Sequence, residues 1–432
     1  MEEAGKIPQV VIIGGGFAGL YAAQKFKNRP VQVTLIDRRN FHLFQPLLYQ
    51  VATGGLSPAD IASPLRGILK KHRNVQVIME EVLDINPDDR SVIAFTSKIH
   101  YDFLVVASGA SHHYFGNTHW EKFSPGLKTI EDATKIRSII LQAFELAEIE
   151  QNPERKNELL TFVIIGAGPT GLELAGAIGE MALHTLKTDF RNISTPGSEI
   201  YLVEAAERIL PSFPSQLSQK AAQSLGKLNV KILTASRVLD IAEDGVTVKR
   251  GDEVIHFRTS NIIWAAGVKA SDLGKIIAAK SGEEIDKQGR IIVNEYCRLK
   301  NYPEIYVIGD LANFKDKSGQ SLPGIAPIAM QQGQYASKTI LATISHKEAK
   351  PFVYWDKGNL AVIGRKAAVA KLGNFCFSGY FAWLLWLFIH LMYLVEFENR
   401  LLVFIQWAFN YFTRNRSARL IAHADRNSPT DH

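Results

Sequence analysis

The chain repeats itself in a way that leaves little freedom of fold. Residues 9–19, QVVIIGGGFAG, run a short apolar strand into a glycine turn and then a helix. About 150 residues later TFVIIGAGPTGLELAG does the same. Each unit continues into a second apolar strand, QVTLID after the first and SEIYLVE after the second. This is the opening of a βαβ unit, written twice. FLVVASGA (103–110) and IIWAAGV (262–268) match as later strands of the two halves, and EIYVIGDLA (304–312) adds a last buried strand before a short helix, APIAMQQGQYASKTILATI. Between the first two strand units, residues 42–73 read as irregular and rich in Gly and Pro.

The glycines have separate duties. Gly14 and Gly166 permit a tight turn, Gly16 and Gly168 let backbone approach a pyrophosphate, and Gly19 and Gly171 allow a helix to pack closely on its strand. The helix that follows presents free N–H groups and the positive end of its dipole to phosphate. An acid closes each second strand: Asp37, 18 residues past Gly19, and Glu204, 33 residues past Gly171. The longer second interval is accounted for by an inserted helix end and loop, KTDFRNISTPGS. Such acids bind ribose hydroxyls, and a carboxylate at Glu204 disfavours the 2′-phosphate of NADP, so NAD is expected there. Two dinucleotide sites in one chain define an α/β architecture of two Rossmann-like domains, of the pyridine nucleotide-disulfide reductase type, with FAD on the first and nicotinamide on the second. Asp310, just past a strand and at the start of a helix, resembles the Gly-Asp that in two-dinucleotide flavoproteins contacts the flavin ribityl or phosphate region; its plain alternative is a helix N-cap.

Electrons delivered to a flavin must leave it. The chain has two cysteines, Cys297 and Cys376, too far apart for a local redox pair, a disulfide framework or a clustered metal site. Disulfide and sulfide chemistry are therefore disfavoured, and no metal or nucleic-acid partner is expected. The N-terminus shows no secretory signal.

The acceptor is suggested by the tail. YFAWLLWLFIHLMYLV (380–395) carries no formal charge. As a helix its sixteen residues span about 24 Å, short of the ~30 Å hydrocarbon core, so a simple membrane span is disfavoured. Trp383, Trp386, His390 and Tyr393 share one helical face. In the next run Leu401, Phe404, Ile405, Ala408, Phe409 and Phe412 form an apolar face opposite Gln406, Asn410, Thr413 and Arg414. Net charge is +6, and residues 361–432 carry eight Lys/Arg against four Asp/Glu. An amphipathic helix trailed by Arg414, Arg416 and Arg419 reads as an interfacial anchor, with the first run docked on protein and the second lying in the interface.

VVIIGGGFAGL, NFHLFQPLLYQVATG, VIIGAGPTGLELAG, IWAAGV, YVIGDLA and APIAMQQGQYA, in that order, resemble the type II NADH dehydrogenases, the non-proton-pumping NADH:quinone oxidoreductases. The resemblance covers nearly the whole chain and implies a monotopic, usually dimeric enzyme on the cytoplasmic face of a bacterial-type inner membrane or its equivalent. Its partners would be a membrane quinone and the lipid surface. It assigns Gly14, Gly16, Phe17, Ala18, Gly19, Asp37, Thr53, Val82 and Asp310 to FAD, and Gly166, Gly168, Pro169, Thr170, Gly171, Glu204 and Gly267 to NADH. Glu173 is implied in hydride or proton handling, Tyr49 in the quinone approach, and Gln331 in both catalysis and quinone binding. Pro327 stands where the family's quinone motif commonly has a first Gln, and Gln331 keeps the second. The expected division is an FAD-binding domain in two parts (1–120 and 286–345), an NAD-binding domain (121–285) and a C-terminal membrane-associating region (346–432). A soluble NADH-dependent flavoprotein reductase of a protein acceptor, or an apoptosis-inducing-factor-like NAD-bound redox sensor, are the alternatives.

Overall fold

The computed structural model describes residues 7–421. They form two compact units that interleave along the chain. The first takes residues up to Leu43, then Ala62–Ser111 and Val268–Asp356; the second takes Phe44–Ile61, His112–Gly267 and the chain from Lys357. Set beside the four-part division above, residues 44–61 and the chain from Lys357 group with the second glycine fingerprint, whereas residues 346–356 group with the first.

The first unit is built on a five-stranded parallel sheet in the order Ile305–Val307, Phe103–Val106, Gln9–Ile13, Gln32–Asp37, Val75–Met79. Its central strands are apolar runs because both faces are covered, which removes the alternation of a half-exposed strand. The Phe17–Lys25 helix follows the first strand and packs on the helix Ala326–Ile344. That second helix is the 19-residue segment APIAMQQGQYASKTILATI expected from the sequence. Contact is close because Gly333 stands where any Cβ would collide with the Ala18 carbonyl, and Ser337 Oγ donates to the Ala22 carbonyl at 2.9 Å. Asp310 sits in a single 3-10 turn, Gly309–Leu311, followed by strand rather than helix, so its reading as a helix start is corrected.

The second unit repeats the plan with a four-stranded parallel sheet in the order Val230–Leu233, Glu199–Val203, Thr161–Ile165, Asn261–Trp264. The helix Pro169–Glu180 leaves the third of these, and an added π turn (Met181–Thr185) plus a loop carry the chain to Glu199, which explains the long glycine-to-acid interval. Within residues 42–73, called irregular from sequence, the helix Leu48–Ala52 lies in this unit, and the strand Ala62–Pro64 and helix Leu65–Leu69 lie in the first. Short amphiphilic pieces between Gly and Pro give too few residues for periodicity to register.

The C-terminal region holds a three-stranded antiparallel sheet that sequence reading missed, Asn359–Gly364, Ala367–Leu372 and Phe375–Ser378. Its first strand lies against the Pro169–Glu180 helix at Gly176, where a Cβ would run into the Ile363 carbonyl. A Gly176→Ala substitution is expected to destabilise the protein by about 1–3 kcal/mol, as overpacking does. A thermal melt measures it; an unchanged melting temperature would show that the strand is free to move away.

The two tail helices, Tyr380–Tyr393 and Phe397–Thr413, are inside out relative to a core helix. Trp386 and Ala382 are buried, while Phe381, Leu384, Phe388 and Met392 are exposed. In the second helix Leu401, Phe404, Ile405, Phe409 and Phe412 are exposed, whereas Trp407 Nε1 donates to Gln50 Oε1 at 2.8 Å and Asn410 Nδ2 to the Gly55 carbonyl at 3.2 Å. The faces with polar tips dock on protein and the purely apolar faces do not. The first helix is thus not simply a docked one. Among the described residues no helix is long and apolar enough to cross a membrane. The trailing arginines also differ from expectation: Arg416 pairs with Glu180 at 3.3 Å and Arg419 with Asp189, leaving Arg414 as the exposed one.

Candidate active site

The two glycine turns are geometric copies. Gly14 and Gly166 both have φ +99°, in the left-handed region that a side chain would strain. Gly19 and Gly171 are pressed against the carbonyls of Gly14 and Gly166 respectively, and Gly16 and Gly168 face open space, with nothing within 4 Å of a Cβ placed there. Neither following helix has a side-chain cap, so first-turn N–H groups such as those of Ala18 and of Thr170, behind Pro169 at N1, are not taken by a capping side chain. The residues present therefore fit a dinucleotide pyrophosphate at each turn.

The two acids grip their own turns in the same way. Asp37 accepts from Gly15 N–H at 2.5 Å and from Arg39 N–H at 2.7 Å. Glu204 accepts from Ala167 N–H at 2.7 Å and from Ala206 N–H at 2.9 Å. Each carboxylate ties the turn to the loop after the neighbouring strand, which fixes it where a ribose would lie. The residues beside Glu204 are Ala205 and Ala206, and the nearby Arg208 is engaged with the carbonyls of Pro211 and Phe213, so no free arginine is offered to a 2′-phosphate from this loop. A Glu204→Gln variant is expected to lose about tenfold of the NADH-over-NADPH preference in kcat/KM; an unchanged ratio would mean that selection lies elsewhere.

Gly14, Gly16, Gly19, Asp37, Val82 and Asp310 all belong to the first unit, and the residues assigned to NADH belong to the second. Gln332, which the sequence reading passed over, is buried and accepts from Gly309 N–H at 2.7 Å, so it braces the turn that carries Asp310. Its neighbour Gln331 bonds the Trp355 backbone twice, to its carbonyl and from its N–H, each at 3.0 Å.

Tyr49, Thr53 and Glu173 come together within the second unit, around a cavity of about 360 Å³. Tyr49 and Thr53 sit on and just after the helix Leu48–Ala52, where Thr53 Oγ donates to the Tyr49 carbonyl at 2.9 Å and Gln50 Nε2 to Tyr49 Oη at 2.9 Å. The opposite wall is the Pro169–Glu180 helix. Glu173 and Glu180, two turns apart and so on one face, accept N–H groups of Val362 (3.3 Å) and Arg365 from the strand beside them. Trp386, Trp407 and Tyr411 of the tail helices complete the lining.

Burial among these groups raises the Glu173 carboxyl to about 8, with the Val362 N–H opposing the shift only in part. It also raises the Tyr49 phenol well above its ordinary value, and the nearby Glu173 charge adds to that. At neutral pH the site therefore holds a largely protonated carboxyl beside a phenol that keeps its proton. Glu180 and Arg416 are members that sequence reading missed. The spacing of Glu180 from Glu173 could have signalled it, but nothing local marks Arg416, whose partners Thr53 and Glu180 are distant in sequence.

Two nucleotide turns of this form, one per unit, define an FAD- and NADH-using oxidoreductase of two Rossmann-like domains. Residues 8–333 match the family model described as pyridine nucleotide-disulphide oxidoreductase, and residues 356–415 match the NDH2 C-terminal domain. The chain is 43% identical over 94% of its length to the type II NADH:quinone oxidoreductase Ndh of Mycobacterium tuberculosis, covering 89% of that protein. It is 42% identical over 96% of its length to NdhA of the same organism, again covering 89%. Its fold superposes on the structure of NDH2 from Plasmodium falciparum in complex with NADH with a TM-score of 0.88, at 21% identity, covering 97% of this chain and all of that one. The chain belongs to the type II NADH:quinone oxidoreductases.

Proposed function

We propose that a lipid-borne quinone is reduced in the Tyr49–Glu173 cavity and draws a proton from Glu173. The overall reaction is that of the family: NADH is oxidised and quinone is reduced. FAD, which the first glycine turn and Asp37 would hold, would supply the two-electron relay between nicotinamide and quinone. Conversion of quinone to quinol needs two protons besides two electrons, so a proton donor must face the quinone oxygen. The observation that carries the proposal is Glu173: a carboxyl held at about 8 on the wall of a cavity that the tail helices also line. Tyr49, whose phenol stays protonated, is suited to donate a hydrogen bond to a quinone carbonyl. The cavity size lies in the range of small-molecule sites. Glu173, once ionised, recovers its proton from solvent reaching the cavity.

The exposed apolar faces of Tyr380–Tyr393 and Phe397–Thr413 are the proposed lipid contact, and they would hold the enzyme peripherally on the cytoplasmic face of its membrane. A homodimer is proposed on the family resemblance. The assignments of Gly14, Gly16, Phe17, Ala18, Gly19, Asp37, Thr53, Val82 and Asp310 to FAD, and of Gly166, Gly168, Pro169, Thr170, Gly171, Glu204 and Gly267 to NADH, are likewise proposals, supported at the glycine turns and acids by the geometry above. So are the boundaries 1–120, 121–285, 286–345 and 346–432. For Gln331 as a quinone-side residue the resemblance is the support; its amide holds the Trp355 backbone. Steady-state kinetics with NADH, NADPH and several quinones test the reading. Purified FAD-loaded protein that fails to reduce a soluble quinone analogue with NADH would overturn it.

A further inference from the structure

Phe115 occupies a backbone state that phenylalanine avoids. It is the second residue of a tight turn closed by the Asn117 N–H on the Tyr114 carbonyl at 3.0 Å. Phe115 has φ +50° and Gly116 φ +92°. Two successive left-handed residues define a type I′ turn, whose first central position favours Asn, Asp or Gly. A bulky side chain there is an outlier, and such strain persists where the surroundings require it. Core packing is not the requirement. Tyr114 turns inward against Trp264 and is buried, whereas Phe115 is 61% exposed.

The ring has a defined position nonetheless. It makes a tilted contact with His113 (4.7 Å between centroids) and an edge contact with Trp264 (6.1 Å), and it covers Gly267 so closely that a Cβ there would lie 2.8 Å from its Cζ. Gly267 follows the strand Asn261–Trp264, the neighbour of Thr161–Ile165 on the side away from Glu204. The second glycine turn touches the same segment, since a Cβ on Gly166 would lie 2.8 Å from the Ala266 Cα. A dinucleotide crosses this kind of sheet at the glycine turn, with its acid-bound ribose on one side and its other nucleoside on the opposite side. The acid-bound, adenosine side is that of Glu204. Phe115 therefore stands at the lip of the nicotinamide side.

We infer that Phe115 is a positioning residue for NADH, its exposed ring forming an apolar wall against the nicotinamide nucleoside, and that the strained turn is retained for this reason. The inference rests on the assignment of NADH to the second glycine turn. It makes no demand on the quinone cavity.

Two substitutions separate this role from a structural one. Phe115→Asn suits the left-handed turn and removes the ring, whereas Phe115→Tyr keeps the ring. With the FAD-loaded full chain, Phe115→Asn is expected to raise KM for NADH about tenfold, the scale of a lost aromatic contact to a base. kcat and the KM for a soluble quinone analogue should stay near wild type, the melting temperature should hold or rise, and Phe115→Tyr should restore the wild-type KM. An unchanged KM for NADH in Phe115→Asn overturns the inference. So does a fall in melting temperature with kcat and both KM values changing together, which would mark the ring as packing. Failure of the wild-type protein to oxidise NADH at all would instead overturn the nucleotide assignment beneath it.

Discussion

Replacing Glu173 with Gln is expected to cut quinone-dependent turnover by about a hundredfold or more, the usual scale for losing a positioned acid. The amide keeps the shape and can still accept from the Val362 N–H, but it has no proton to give. The sign of the pH dependence follows from the direction of the shift. Burial raises the carboxyl to about 8, so the proton is present below that pH and lost as pH rises through it. Wild-type turnover should therefore fall on the alkaline side of about 8, and Glu173→Gln should lack that limb. The half-reaction from NADH, followed as flavin bleaching without quinone, should survive in the variant. If both half-reactions fall together, Glu173 acts on the NADH side; if the alkaline limb persists in the variant, another group supplies it.

The second large effect concerns the membrane. Changing Phe388, Phe404 and Phe412 together to Ser removes three rings that are 62%, 55% and 80% exposed. A fully transferred ring contributes about 1.5–3 kcal/mol, so three partial insertions together set vesicle partitioning back on the order of a hundredfold or more. The melting temperature should not fall, because these rings support no core. Turnover with a soluble quinone analogue should also be kept. Equal flotation of wild type and triple variant with lipid vesicles would remove the membrane reading. Ending the chain at Phe377 is a poorer test, because it also deletes Trp386, Leu394 and Val403, all buried, and with them a wall of the cavity.

Much of this was legible in the sequence, for a local reason. Each glycine turn and its strand and helix are fixed by contacts within about a dozen residues, so the motif carries its own geometry, and the strands Gln32–Asp37 and Glu199–Val203 fall where the apolar runs place them. The acids were also legible, although their grip on the turns through Gly15 and Ala167 was not, being a matter of register between strands. What escaped was non-local. The sheet of residues 359–378 is apolar in a way that anticipates nothing about its partner, and the partner is the helix bearing Glu173, Gly176 and Glu180. The cavity exists only once those two segments and Leu48–Ala52 meet. The tail faces were legible as stripes, but which stripe of the first helix turns inward was not: Trp386, large and apolar in body, is among the most buried side chains.

Arg416 joins two properties that could otherwise vary separately. It follows the second tail helix, lines the cavity, donates to the Thr53 carbonyl at 3.1 Å and pairs with Glu180 on the helix that carries Glu173. If the tail meets lipid and the cavity holds quinone as proposed, the two lie in one bonded unit through which their equilibria can be linked. If lipid binding tightens the pocket for quinone by some factor, quinone tightens the grip on lipid by that same factor. The enzyme would then reside longest on the membranes that have substrate to offer, and leave most readily those that have run out.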